Sequence, residues 1–303
     1  MIENYNSVAH LVECAKKENK KISQLVMEQQ AVFMELSEEE IFNFMEESYQ
    51  VMEESIKGGL AKDLKSASGL TGGDAYKMKE YIKKGNTLTG DIMANSLMAA
   101  IAVSEFNASM GKIVASPTAG SCGILPSVLS VVGKARNIDR KDIIKSLFTA
   151  SGIGMVIANN ASLAGAEGGC QAECGSAAAM AAAAAVELCG GTPDMVSYSV
   201  GIALQNIMGL VCDPVAGLVE VPCIKRNASG AANALISAEI ALAGIENVIP
   251  TDEIIFAMKE VGDAMHPSLK ETAQGGIAAT KTGKKLFSEI FGSDCGPCKK
   301  CRR

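Results

Sequence analysis

The stretch from Glu167 to Asn227 constrains this chain more than any other. It joins an alanine run, Ser176 to Val186, to five of the chain's ten cysteines. Three of the five, Cys170, Cys212 and Cys223, lie within two residues of a glycine or proline, in the contexts GGC, CDP and PCIKRN. Glycine and proline let a chain turn and let backbone approach a ligand closely. Small residues let helices pack close together. The stretch therefore predicts tightly packed helices beside loops that carry sulfur.

The rest of the composition agrees. The chain has 303 residues, 48% of them hydrophobic, enough for a large core. Aromatic residues make up only 4% and tryptophan is absent, which favours a helical body over aromatic-rich strands. Neither an internal repeat nor a linker stands out. The expectation is a mainly α protein, with a single helical domain whose Gly/Pro-rich loops converge on a pocket. Within it, residues 1–60 form an N-terminal helical arm, 61–290 the catalytic domain and 291–303 a Cys-rich tail.

A net charge of −6 argues against nucleic acid or an anionic membrane as the main partner. The opening MIENYNSVAH does not read as a signal peptide. The most apolar run stops at Glu187, short of the roughly 20 residues that a membrane span needs. A cytoplasmic location is expected, where cysteines stay as thiols and a count of ten points to metal or redox chemistry. Cys14, Cys122 and Cys189 read as small buried hydrophobes.

In chain order, residues 1–60 read as two helices. One has an apolar stripe from Ile22 to Met34, with its cap sought at Asn19. The other follows a capping box formed by Ser37 and Glu40. Ser68 to Ala75 (SGLTGGDA) is a glycine-rich loop able to cradle an anion, or a long turn capped at Asp74. A helix covers Asp91 to Met110. The following loop, VASPTAGSCGILP, offers converging donors from Ser116, Thr118, Gly120 and Ser121, suited to a small carboxylate. Asn137 to Phe148 reads as a surface helix. Within SGIGMVIANNASLAGA, Asn159 and Asn160 either cap backbone groups or face a polar pocket. Helices are expected over Ser229 to Ala243 and from Pro250 to His266. A second Gly/Thr-rich loop, from Leu269 to Gly283, follows.

Soft thiolates select zinc, copper(I) or iron–sulfur clusters. Structural zinc sites favour two close C-x2-C pairs, whereas Cys170, Cys212 and Cys223 sit on three separate stretches, as a cluster held by three loops would need. Cys174, one helical turn from Cys170, is the rival ligand; Gly168 and Gly169 leave more room at Cys170. Three thiolates on a cluster leave one iron open to act as a Lewis acid, whereas four suit electron transfer. With only His10 and His266 present, a Ser-His-Asp triad or a three-histidine metal site is not expected.

The motifs SPTAGSCGILP, EGGCQAE, GLVCDPVAGLVEVPCIKRN and KETAQGGIAATKTGK resemble those of the alpha chain of two-chain bacterial iron–sulfur L-serine dehydratases. The likeness spans about residues 60–290. It implies a largely helical L-serine ammonia-lyase that gives pyruvate and ammonia, an oxygen-sensitive [4Fe–4S] cluster and a separate beta chain. It places Cys170, Cys212 and Cys223 on the cluster ligands, and the Ser116–Gly120 loop on the substrate-carboxylate region. Arg226 is then a candidate to pair with that carboxylate, and Lys270 and Glu271 are candidates for proton transfer or ammonium binding. The terminal CGPCKKC, with Cys295, Cys298 and Cys301, is outside the defining pattern. It reads as an accessory metal site, a flexible tail or the source of a shielding fourth thiolate. Three other readings remain: an L-cysteine desulfidase of the related family, an iron–sulfur electron-transfer or sensor protein, and a helical subunit whose cysteines are merely buried.

Overall fold

The computed structural model describes residues 5–292; Cys295, Cys298 and Cys301 of the tail lie outside them. The expected mainly α fold is borne out. The described residues form thirteen α-helices, and the only β pairing among them is an isolated parallel bridge between Cys212 and Lys270. The first seven helices are α1 (Val8–Glu18), α2 (Ile22–Met34), α3 (Glu38–Gly59), α4 (Asp74–Ile82), α5 (Gly90–Ala108), α6 (Ile124–Ala135) and α7 (Arg140–Asn160). Then follow α8 (Gly165–Gly168), α9 (Ser176–Leu188), α10 (Pro193–Gln205), α11 (Cys223–Leu242), α12 (Thr251–Ala264) and α13 (Lys281–Phe291).

The alanine run is α9, and it is the axis of the fold. Every residue from Ser176 to Glu187 is buried, and α6, α7, α10 and α11 pack around it. Alanine is the strongest helix former, and its short side chain lets four neighbours approach closely. Where a larger residue intrudes, the facing helix yields. A Cβ on Gly154 would stand 3.0 Å from Met180 Cε.

Three expectations need correction. Residues 1–60 hold three helices rather than two, because Val8–Glu18 also folds. Val8, Leu11, Ile22 and Val26 join the same hydrophobic core as Leu147 and Ile153. Asn19 closes α1 in a left-handed conformation (φ 51°) instead of opening α2, which begins where the Gln24 side chain accepts from the Lys21 N–H at 2.9 Å. The supposed surface helix over 137–148 and the small-residue segment after it form one helix, α7, with Ile144, Leu147 and Phe148 buried. Gly152 and Gly154 do not break α7. They lie on its packed faces, where a Cβ on Gly152 would come within 2.6 Å of Val26. The capping box at Ser37 is present: Glu40 N–H donates to Ser37 Oγ at 3.3 Å, and Ser37 N–H donates to Glu40 Oε2 at 2.9 Å.

The α3–α5 crossing depends on Gly59, where a Cβ would lie 1.9 Å from Ala102 O. Because the obstacle is backbone, Gly59→Ala should cost about 1–3 kcal/mol, read as a lower urea midpoint. The exposed Lys57→Ala on the same helix should change stability by no more than about 0.5 kcal/mol.

Candidate active site

Four chain segments meet beside the start of α9. The first follows α8. Gly169 adopts a left-handed conformation (φ 76°), and a Cβ there would strike Met265 Sδ at 2.7 Å and Leu210 O at 2.9 Å. This turn delivers Cys170 into a π-helical turn, Gln171–Gly175, that leads into α9. Gln171 is fully buried and holds the turn in place: its Oε1 accepts from Gly209 N–H at 2.8 Å and its Nε2 donates to Met258 O at 2.9 Å.

The second and third segments pair with each other. Cys212 N–H donates to Leu269 O at 2.8 Å, and Glu271 N–H donates to Cys212 O at 2.7 Å. Asp213 extends this link. Its Oδ2 accepts from Ile277 N–H at 2.7 Å, and its Oδ1 pairs with Arg226 Nη2 at 2.8 Å. Arg226 Nη1 also donates to Val211 O at 2.8 Å. The fourth element is α11, which starts at Cys223 instead of the expected Ser229. One turn on, the buried Asn227 donates from Nδ2 to Cys223 O (2.9 Å) and Gly120 O (2.7 Å). Its Oδ1 accepts from Gly123 N–H at 2.8 Å. That side chain fastens the Ser116–Ser121 loop to the Cys223 end of α11.

Cys170, Cys174, Cys212 and Cys223 are all buried. The Cys170 and Cys174 sulfurs lie 3.4 Å apart. Contact with the sulfurs of Cys174 and then Cys212 holds Cys170 below the usual thiol range against burial, with Arg226 adding positive charge. The same contact with Cys170 raises Cys174 and Cys212, and burial adds to both. Burial first, then the charge on Cys170, pushes Cys223 up to about 12. Cys170 and its neighbours Cys174 and Cys212 thus form one group of interacting sulfurs. Glu173 stands beside them, pushed up to about 7 by burial and then by Cys170, against a lowering hydrogen bond from Thr118. Among the described residues, no three His, Cys, Asp or Glu side chains close on a point that a single ion would occupy. The donor set is of another kind: buried sulfurs from three separate loops, the soft ligands that iron–sulfur groups take.

The structure brings together most of the residues singled out in the sequence. Cys170, Cys212 and Cys223 converge, and Cys174 joins them, so proximity alone does not rank it below Cys170. Thr118 donates to Glu173 Oε1 at 2.9 Å and lies 3.1 Å from Ser121 Oγ. Gly120 receives Asn227, and Ser116 Oγ is buried without a hydrogen-bond partner. Lys270 lines a cavity of about 320 Å3 with Glu167, Gln171 and Asp263. Glu271 is exposed in a left-handed conformation (φ 62°). Two residues have different work from that expected. The Arg226 guanidinium is committed to Asp213 and Val211. Asn160 takes the capping alternative, donating to Val156 O and Asn6 O at 2.8 Å each.

Comparison with known proteins now decides the family. The model of the serine dehydratase alpha chain matches residues 17–278. The chain belongs to that family. It is 49% identical over 292 residues to "Probable L-serine dehydratase, alpha chain" of Bacillus subtilis (strain 168), covering 96% of this chain and 97% of that one. With "L-serine dehydratase, alpha chain" of Peptoniphilus asaccharolyticus it shares 45% over 286 residues, 94% of this chain and 98% of that one. "L-serine dehydratase 2" of Escherichia coli (strain K12) is 36% identical over 285 residues, which span 90% of this chain but 61% of that longer protein.

Sequence reasoning overlooked Glu173, Glu220 and Asn227, and the link from Asp213 to Arg226. Each sits inside a motif already quoted, and Asn227 lies one helical turn after Cys223. Their roles depend on partners far along the chain. Glu220, for example, accepts from Ser68 (2.8 Å) and Thr71 (2.6 Å), which ties the glycine-rich loop to the segment before Cys223.

Asp213 and Arg226 are both largely buried, at 3% and 17% side-chain exposure. Arg226→Ala should therefore leave a buried carboxylate uncompensated and cost about 3–5 kcal/mol in urea unfolding. Arg226→Lys keeps the charge but not both hydrogen bonds, and should cost less. Amide exchange at Ile277 should quicken in the alanine variant, because its acceptor is Asp213.

Proposed function

We propose that this chain is the catalytic alpha chain of an L-serine ammonia-lyase, releasing pyruvate and ammonia, with Cys170, Cys212 and Cys223 holding a [4Fe–4S] cluster. The observation that carries the reading is the gathering of buried cysteines from separate chain segments beside the start of α9, in a chain of the serine dehydratase family. When bound through three thiolates, such a cluster supplies a Lewis acid beside the departing hydroxyl.

The chain's own residues do the rest. The Ser116–Ser121 loop binds the substrate carboxylate; its buried Ser116 hydroxyl, without a protein partner, is a donor in waiting. Arg226 holds Asp213 and Val211 in place and so sets Cys212 between them, while its charge favours the Cys170 thiolate. Lys270 and Glu271, on the segment paired with Cys212, are the groups this chain offers for moving the α-proton. The aminoacrylate that leaves tautomerises and hydrolyses to pyruvate without the protein. A separate beta chain is the partner that the alpha-chain naming of the relatives suggests. A reducing, cytoplasmic setting suits the thiols, and no helix among the described residues is long and apolar enough to cross a membrane.

The test is anaerobic reconstitution of the chain with its beta chain, iron and sulfide. A brown chromophore and pyruvate from L-serine are expected, and Cys212→Ala should lose bound iron as well as activity. Sulfide from L-cysteine, without pyruvate from L-serine, would assign the chain to desulfidation instead. A colourless, iron-free protein would remove the cluster from the reading.

A further inference from the structure

Glu173 is a half-buried carboxylate that lacks a counter-ion among the described residues. It projects from the π turn into a slot left by two glycines. A Cβ on Gly120 would lie 3.1 Å from its Oε1, and one on Gly165 would lie 2.6 Å from its Oε2. Its hydrogen-bond partners are the Thr118 hydroxyl, at 2.9 Å, and the Cys212 thiol, 3.9 Å away. Among the described residues, no lysine, arginine or histidine pairs with it. Arg226 is spent on Asp213 and Val211. A carboxylate partly withdrawn from water gains from a cationic partner, because it has given up part of its hydration. Two residues before Thr118, Ser116 presents the opposite deficit: a buried hydroxyl with nothing to bond. A zwitterion with a cationic and an anionic end satisfies both.

We propose that Glu173 receives the α-ammonium group of the amino-acid substrate, while the Ser116–Ser121 loop takes its carboxylate. This rests on the lyase reading above and adds its selectivity: the site takes α-amino acids with a free amine and discriminates against hydroxy acids and N-acylated amino acids. Glycine at 120 and 165 is then a requirement of the carboxylate's position rather than of loop flexibility.

The test uses the anaerobic holoenzyme with its beta chain and measures ligand binding by calorimetry. L-alanine carries the ammonium and carboxylate without the leaving hydroxyl. Propionate is the same skeleton without the amine, and 3-hydroxypropionate keeps the hydroxyl and carboxylate. Unaltered protein should bind L-alanine about tenfold or more tighter than propionate. Glu173→Gln should weaken L-alanine by about the same factor, raise KM for L-serine in parallel, and leave 3-hydroxypropionate within about twofold. Glu173→Asp should fall between, since it keeps the charge. Equal affinity for L-alanine and propionate on the unaltered protein overturns the proposal even if the glutamine variant fails to fold. So does a variant that loses both ligands equally, or neither. Normal pyruvate production with an unchanged L-alanine affinity in Glu173→Gln overturns this inference alone. Absence of pyruvate from the unaltered holoenzyme overturns the lyase reading instead.

Discussion

The site depends on one buried amide. Asn227 bonds to Gly120, Gly123 and Cys223 at once, joining segments a hundred residues apart in sequence. An amide buried with three of its hydrogen-bonding positions filled is stable, and one left unfilled costs about 1–3 kcal/mol, so the arrangement tolerates little slippage. It fixes the donor loop against the first turn of α11, where Cys223 stands. Asp213 does the same on the other side, bonding at once to the Ile277 backbone and to Arg226. The sulfur-bearing segments have no sheet or disulfide to align them. Side chains acting as cross-braces take that role.

Behind these braces stands α9. Its alanine side chains bring α6, α7, α10 and α11 close enough to leave no room for adjustment, since core packing at native density transmits small displacements. The π turn at Gln171–Gly175 is where that rigid axis joins the loops. A π turn widens the helix and redirects the side chains that follow, and such turns gather at functional sites. Here it sets Cys170 and Glu173 on the side facing Cys212 and Thr118.

Much of this could be read from the sequence, and the limits have physical causes. The helical class followed from alanine, glycine and the lack of aromatics. The boundaries of Ile22–Met34 and the Ser37 box followed from periodicity and capping, which are local. The convergence of Cys170, Cys212 and Cys223 was inferred from their glycine and proline neighbours. What was missed is set by tertiary contact. Gly152 and Gly154 resemble helix breakers until Val26 and Met180 are seen to fill the space beside them. Arg226 beside Cys223 looked free for a carboxylate because the sequence does not show that Asp213 comes back to meet it. Glu173 was visible in EGGCQAE, yet nothing in the motif says that its side chain is half-buried with no cation pairing it among the described residues.

Departures from local preference are distributed unevenly, and the pattern bears on function. Among non-glycine residues with positive φ, Asn19 and Glu35 close helices, an ordinary role for the left-handed conformation. Ala216, Glu271 and Ala273 have no such role. They lie in the segments next to Cys212, the first beside Asp213 and the other two on the stretch bonded to Cys212 itself. The unpaired Ser116 hydroxyl and the uncompensated Glu173 lie in the loop and turn that adjoin them. Each such feature costs of order 1–3 kcal/mol and persists only where the surrounding structure dictates it. Proteins concentrate these exceptions at functional sites and follow local rules elsewhere. Their gathering around the cysteines, in a body otherwise made of regularly capped and closely packed helices, supports the proposal that the chain gives up stability in this corner to hold a ligand.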